Sequence, residues 1–312
     1  MALLILTLTI NPAIDRTFAV DKLVFEDRAY IQSSEDTAGG RGVNASRVLH
    51  DFGAKTAAIV TTGGESGKLL KSLIAGFGFP AECVDVESAT RTNLTISDKH
   101  GLTLKLNEQG SALTAGEVEA VRRAVEHRLA KASWLLLCGS VPPGVPRQFY
   151  AELIAMAHAK KVKTLVDTDG PVLEAALEAK PTVVKPNQAE AERLLHRALI
   201  SRQQVLEAVR DLKAMGPETV ILSLGGRGAI AATPDSLLEA VPPRIDSVCP
   251  IGAGDALSAA FVWALTKRKS VADALCWGVA AGTASTMLPG VETATLEQAR
   301  GIYNRVEVRK LG

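Results

Sequence analysis

The order in which the apolar residues are grouped constrains this chain more than any other feature. Short runs rich in Val, Ile and Leu stand at 3–10, 56–61, 133–138, 162–167, 182–185 and 219–224. Amphipathic stretches at 114–132, 146–159 and 201–215 lie between them. Strands buried on both faces read as continuous apolar runs, and parallel neighbours need a crossover that is usually a helix. Strand then helix, repeated, predicts an α/β sandwich around a largely parallel sheet. The 312 residues are 47% hydrophobic, which suffices for a sizeable core. No internal repeat or Pro/Ser-rich linker divides them, so residues 1–312 read as one domain.

Two segments depart from this pattern. Residues 17–36 and 90–108 alternate polar and apolar positions, as in Thr92-Asn93-Leu94-Thr95-Ile96-Ser97. Alternation gives strands with two different faces. Such strands either extend the main sheet or pair into a small separate one. The second reading is preferred here, as a lid or a dimerisation surface.

Several function classes drop out. Lys and Arg number 35 against 34 Asp and Glu, a formal net charge of +1. A nucleic-acid binder would show a basic excess, and a disordered chain fewer apolar residues. The run Leu3–Ile10 has no basic head or cleavage site and reads as a first strand rather than a leader. No stretch of 18 apolar residues suggests a membrane partner. Cys83, Cys138, Cys249 and Cys276 are too far apart for a zinc or redox motif. The expectation is a cytoplasmic chain without a His/Cys metal site.

Chemistry concentrates in glycine turns. Gly252-Ala253-Gly254-Asp255 opens an apolar helical stretch, and a helix start offers free amides and partial positive charge to a phosphate. A carboxylate beside them, Asp255, is placed to take a proton from a hydroxyl; the plainer reading is an acid that caps a helix. Gly39-Gly40-Arg41-Gly42-Val43-Asn44 leads into a second helix over 43–52, and Asn44 offers a donor and an acceptor to a hydroxyl. Gly63–Lys68 mimics a P-loop but lacks its spacing and its Ser/Thr. Lys185-Pro186-Asn187 ends a strand, with Glu190 at the capping-box distance from Asn187. The alternative puts Lys185 and Asn187 near nucleotide phosphates and Glu190 near Mg²⁺ through water. Ser223-Leu224-Gly225-Gly226-Arg227-Gly228 closes another strand. Ligands of open α/β sheets sit at the carboxyl ends of strands, where all these loops lie.

Taken in order, Thr9–Asp15, Gly39–Asn44, Thr90-Arg91-Thr92-Asn93, Gly139-Ser140-Val141-Pro142-Pro143-Gly144, Lys185–Glu190, Ser223–Gly228 and Gly252–Asp255 resemble the ribokinase-like (PfkB-type) carbohydrate kinases over essentially the whole chain. The resemblance is greatest to the hexose-phosphate branch: minor-type 6-phosphofructokinase, 1-phosphofructokinase and tagatose-6-phosphate kinase. It implies a three-layer α/β/α sandwich with a mainly parallel central sheet and a small β-sheet lid. It implies Asp255 as catalytic base and Gly252, Ala253 and Gly254 as an anion hole. By the same resemblance Asp15, Gly39, Gly40 and Asn44 hold sugar hydroxyls. Arg91, Arg28 and Ser140 hold the phosphate already on the substrate, where an Arg fork suits a phosphate oxyanion. Lys185, Asn187, Ser223, Gly225 and Gly228 line the ATP site, with Gly282 and Ser285 near adenine. Glu190 is linked with Mg²⁺, and the lid strands build a homodimer. The family often has Asp-Thr or Ser-Thr ahead of the Gly-Ala-Gly-Asp element, where this chain has Cys249 and Pro250. The expected reaction is ATP-dependent phosphorylation of a ketohexose phosphate, first fructose 6-phosphate. Its alternatives are fructose 1-phosphate or tagatose 6-phosphate, an unphosphorylated sugar or nucleoside, and a sensor without turnover. Arg91 and Asp255 argue against the last two.

Overall fold

The computed structural model describes residues 3–24, 27–290 and 292–311. In chain order the strands are β1 (Leu4–Thr9), β2 (Ala13–Val20), β3 (Ile31–Gly39), β4 (Thr56–Thr62), β5 (Ala81–Asp85), β6 (Arg91–Asp98), β7 (Thr103–Asn107), β8 (Ala132–Cys138), β9 (Lys163–Asp167), β10 (Val183–Val184), β11 (Thr219–Ser223), β12 (Ala229–Ala232), β13 (Leu237–Val241) and β14 (Glu307–Leu311). The helices are α1 (Arg41–Asp51), α2 (Gly64–Ala75), α3 (Ala115–Leu129), α4 (Phe149–Ala159), α5 (Gly170–Glu178), α6 (Gln188–Leu195), α7 (Arg202–Ala214), α8 (Ala253–Thr266), α9 (Val271–Thr286) and α10 (Leu296–Tyr303).

Ten strands form one sheet in the order β14-β13-β12-β11-β10-β9-β8-β1-β4-β5. It is parallel from β11 to β5 and antiparallel from β11 to β14. One face packs Leu6, Leu8, Leu135 and Leu137 against α3, α4, α5 and α7. The other packs Ile5, Trp134 and Leu136 against α1, α8, α9 and α10. Alternate residues of one strand thus enter two different cores, so these strands read as unbroken apolar runs. The α/β/α sandwich expected from the sequence is present.

The alternating segments form a separate four-stranded sheet, β3-β2-β6-β7. Its base is anchored where Ile14 and Ala38 pack with Val43, Leu70 and Ile74. The 3–10 and 219–224 runs are trimmed by a residue or two, and 182–185 shrinks to Val183–Val184. Helix α1 starts at Arg41, two residues before the expected 43.

Candidate active site

The loops at the carboxyl ends of the parallel strands interlock. The Gly139 amide donates to the Asp167 carbonyl at 2.8 Å, and the Lys185 amide to Val166 at 2.9 Å. Ser223 donates to Pro186 at 3.1 Å and bridges Asn187, so the Lys185–Asn187 and Ser223–Gly228 turns lie side by side.

Helix starts differ around this edge. α3, α7 and α10 each carry a reciprocal capping box, and α6 carries one made by Asn187 and Glu190. α1 and α8 are capped by Gly40 and Gly252, without a side-chain hydrogen bond. Their first amides are therefore not taken by a capping side chain. Gly252 has φ 76°, a conformation that a residue with a Cβ adopts only with strain. Gly282 of α9 packs against the first turn of α8, where a Cβ would come within 2.8 Å of the Ala253 carbonyl. Ser285 of α9 is buried and accepts from the Ala294 amide at 3.1 Å.

Asp255, 8% exposed, sits in that first turn of α8 and accepts from Asn44 Nδ2 at 2.8 Å. Burial, and then the charge of Asp167, push its carboxyl up to about 7; Asn44, Arg41 and Lys185 pull the other way. An acid with this affinity for protons is poised for proton transfer near neutral pH.

Asp167 was not among the residues singled out in the sequence. Its Oδ1 accepts from Arg41 Nη1 at 2.9 Å. Its Oδ2 accepts from Lys185 Nζ at 2.9 Å and Ser258 Oγ at 3.0 Å. Burial opposes its ionisation, but Lys185 and Arg41 outweigh that and hold the carboxyl below its ordinary value. Arg41 Nη2 also reaches Glu190 Oε1 at 3.1 Å, and Glu190 Oε2 accepts from the Asn187 amide at 2.8 Å. Burial disfavours the Arg41 charge, yet Asp167, Glu190, Asp255 and Asp169 together raise its proton affinity. Lys185 Nζ lies 3.4 Å from where a Cβ on Gly254 would stand, so its charge faces the start of α8.

Mg²⁺ was expected near Glu190 through water, not as a direct ligand. All four carboxylate oxygens of Asp167 and Glu190 already accept from protein donors. Among the described residues no group of three or more His, Cys, Asp or Glu could hold a metal. These side chains do not fit a divalent ion held by protein alone.

A second set of groups hangs from the lid. Asn93 Nδ2 donates to Asp15 Oδ1 at 2.8 Å across the β2–β6 pair, and the buried Asn93 Oδ1 has no partner among the described residues. Burial raises the Asp15 carboxyl, against Asn93 and Arg91. A Cβ on Gly39 would stand 2.3 Å from Asp15 Oδ2, so only glycine lets this carboxylate lie over the β3 end. Arg91 spreads its guanidinium over the carbonyls of Asn11 at 3.0 Å, Pro12 at 3.3 Å and Glu108 at 2.5 Å. Beside it is a cavity of about 30 Å³ lined by Asn11, Thr90, Ser111 and Pro142 among others. Ser140 Oγ accepts from Asn11 Nδ2 at 3.1 Å.

The site thus joins Asp255, Asn44, Lys185, Asn187 and Glu190 directly, and holds Asp15, Gly39, Gly40, Arg91 and Ser140 on the adjoining lid and loops. Arg28 is not drawn in: it lies exposed in the β2–β3 connection, its amide bonded to Asp27. Asp167 and Asn93 were the omissions. Asp167 stands at the carboxyl end of an apolar run, the position at which ligand groups of such sheets occur.

Comparison with known proteins agrees with this architecture. The pfkB family carbohydrate kinase profile matches residues 5–298. A 1-phosphofructokinase of Rhodobacter capsulatus is 35% identical over 275 residues, 88% of this chain and 87% of that protein. The ATP-dependent 6-phosphofructokinase isozyme 2 of Escherichia coli is 30% identical over 302 residues, 96% of this chain and 97% of that one. The crystal structure of phosphofructokinase-2 from Escherichia coli in complex with fructose-6-phosphate superimposes with a TM-score of 0.90 at 29% identity, covering 97% of this chain and 99% of the other. With its fold, its glycine-capped helix starts and a buried acid at one of them, the chain belongs to the pfkB family of carbohydrate kinases.

Proposed function

We propose that this kinase transfers the γ-phosphoryl group of ATP to a free hydroxyl of a phosphorylated ketohexose, converting fructose 6-phosphate to fructose 1,6-bisphosphate. The observation that carries this is Asp255: a buried acid titrating near 7, in the first turn of a helix whose amides no side chain caps. Asp255 takes the proton of the sugar hydroxyl. The sugar oxygen bonds to the γ-phosphorus, and the bridging oxygen leaves with ADP. The amides of Gly252, Ala253 and Gly254, with Lys185 beside them, face the charge that develops on the phosphoryl oxygens.

Arg91 binds the phosphate already on the sugar, with Ser140 and Arg28. Asp15, Asn44 and the Gly39–Gly40 turn take hydroxyls, and the free Asn93 Oδ1 is an acceptor for one more. The ATP phosphates lie along Lys185, Asn187, Ser223, Gly225 and Gly228, with the purine end toward Gly282 and Ser285 of α9. Mg²⁺ enters as the MgATP complex, as part of the substrate.

A second reading, fructose 1-phosphate as acceptor, is favoured by the Rhodobacter capsulatus relative, the one at 35% identity. Both acceptors give the same bisphosphate. ADP release measured with fructose 6-phosphate, fructose 1-phosphate, tagatose 6-phosphate and unphosphorylated fructose separates them. Turnover of free fructose matching that of every phosphorylated sugar would overturn the role of Arg91.

The lid also supports a homodimer. Leu104 and Leu106 of β7 are 39% and 49% exposed and pair in register with Ile96 and Leu94 of β6, leaving an apolar strip on one face. No described helix is long and apolar enough to cross a membrane. Place of action in the cytoplasm remains part of this proposal.

A further inference from the structure

Arg41 has a position that neither the fold nor the proposed reaction accounts for. It opens α1, yet its guanidinium crosses the active-site edge to bridge Asp167 and Glu190, which lie 126 and 149 residues further along the chain. Both carboxylate side chains are 2% exposed, whereas Arg41 keeps 33% of its side chain open. Two buried carboxylates at the edge of a phosphate site are the donor set a hard divalent cation takes. Left without a counter-ion, they would carry a large desolvation and repulsion cost. Lys185 answers only one of the four oxygens, Asp167 Oδ2. Arg41 answers one on each acid, and a guanidinium cannot lose its charge at any working pH.

We propose that Arg41 is the resident counter-cation of the Asp167–Glu190 pair, standing where a protein-held divalent metal would otherwise bind. Arg41 is a positioning residue: it fixes the two acids, and through Asp167 it fixes Lys185 against the start of α8. Metal then reaches this edge only with the nucleotide. Removing the guanidinium turns the pair into a vacant oxygen site.

The test is titration of Mn²⁺ into nucleotide-free protein, with free Mn²⁺ followed by electron paramagnetic resonance. Arg41→Ala gains one Mn²⁺ site, roughly tenfold or more tighter than any in the unmodified protein. Arg41→Lys, which keeps a cation, gains none, and adding Glu190→Gln to Arg41→Ala removes the gained site. A tight Mn²⁺ site in the unmodified protein that Glu190→Gln abolishes would overturn the proposal. So would a folded Arg41→Ala, checked by circular dichroism, that gains no site. Should Arg41→Ala not fold, the comparison of unmodified protein with Glu190→Gln decides: equal Mn²⁺ binding supports the proposal, and a lost site overturns it. Since no sugar or nucleotide is present, the outcome stands apart from which sugar phosphate is turned over.

Discussion

The two sheets obey different rules. Every residue of β4 in the ten-stranded sheet is buried, while every residue of β7 in the lid is exposed. The central body strands have helices on both faces, whereas the edge strands β5 and β14 are partly or largely exposed. The lid strands present a polar face, with Asp15, Asn93 and Arg91, and an apolar face with Leu94, Ile96, Leu104 and Leu106. One face suits a small polar ligand; the other lacks a cover among the described residues. On the proposed reading the body supplies fixed charge and proton transfer, while the lid supplies ligand contact and a surface for a second copy. This division can be broken or sharpened by variants placed on either side of it.

The largest effect belongs to the body. Asp255→Asn keeps the shape and the Asn44 contact but cannot take a proton. Loss of a general base costs roughly 10²–10⁴ in rate, and kcat should fall by that much with both KM values little changed. A variant keeping half of the unmodified kcat would remove Asp255 from the chemistry.

Arg91→Ala tests the polar face of the lid. Losing a charge-assisted contact to phosphate costs about 1.5–3 kcal/mol, or roughly 10- to 150-fold in KM for the sugar phosphate. KM for ATP should stay near its original value, because Arg91 reaches Asn11, Pro12 and Glu108 and not the Ser223–Gly228 turn. A rise in the ATP value instead would put the two ligands on the opposite sides.

The apolar face is tested by Leu104→Asp with Leu106→Asp. Central interface residues commonly carry about 2 kcal/mol or more, some 30-fold in dissociation constant. Light scattering should show a dimer dissociating at concentrations where the unmodified chain stays paired. The secondary structure of the separated chain, read by circular dichroism, should be unchanged, since both side chains are exposed on the chain by itself. A dimer untouched by both aspartates would place the interface elsewhere.

How much of this the sequence displays follows from the same contrast. Continuous apolar runs mark the body strands, because helices cover both faces; alternation marks the lid, because one face is wet. The antiparallel edge is not legible that way: β14 reads Glu-Val-Arg-Lys-Leu and is exposed along four of its five residues. β5, with Ala81 and Asp85 exposed at its ends, is hidden for a similar reason. At the site, glycine turns announce α1 and α8, whose starts are capped by Gly40 and Gly252 without a side-chain hydrogen bond. The Asp167 network stays hidden, since its partners Arg41, Lys185 and Ser258 meet only across the folded sheet. Asn187 and Glu190 form the capping box that is the plainer reading of the sequence, and Glu190 also accepts from Arg41, a contact the sequence does not announce.

The last expected effect is on stability and returns to Asp255. Its carboxyl has an ordinary value of 3.8 and is raised to about 7 in the folded chain, first by burial and then by Asp167. The folded state therefore binds this proton more tightly than the unfolded state. Stability from that proton is fully present below 3.8, declines as pH rises toward 7, and is lost above it. Asp255→Asn has no proton to lose, and its amide oxygen can still accept from Asn44. The variant should match the unmodified protein in melting temperature near the lower bound and exceed it progressively up to about 7, with no further gain at higher pH. Melting curves across that range, with no ligand added, decide the matter. A constant difference at all pH values would mean that Asp255 is not the group carrying the strain, and a variant less stable at the alkaline end would reverse the sign. The expected pattern ties the lost turnover and the gained stability to one side chain, as a site that holds an acid against its preference requires.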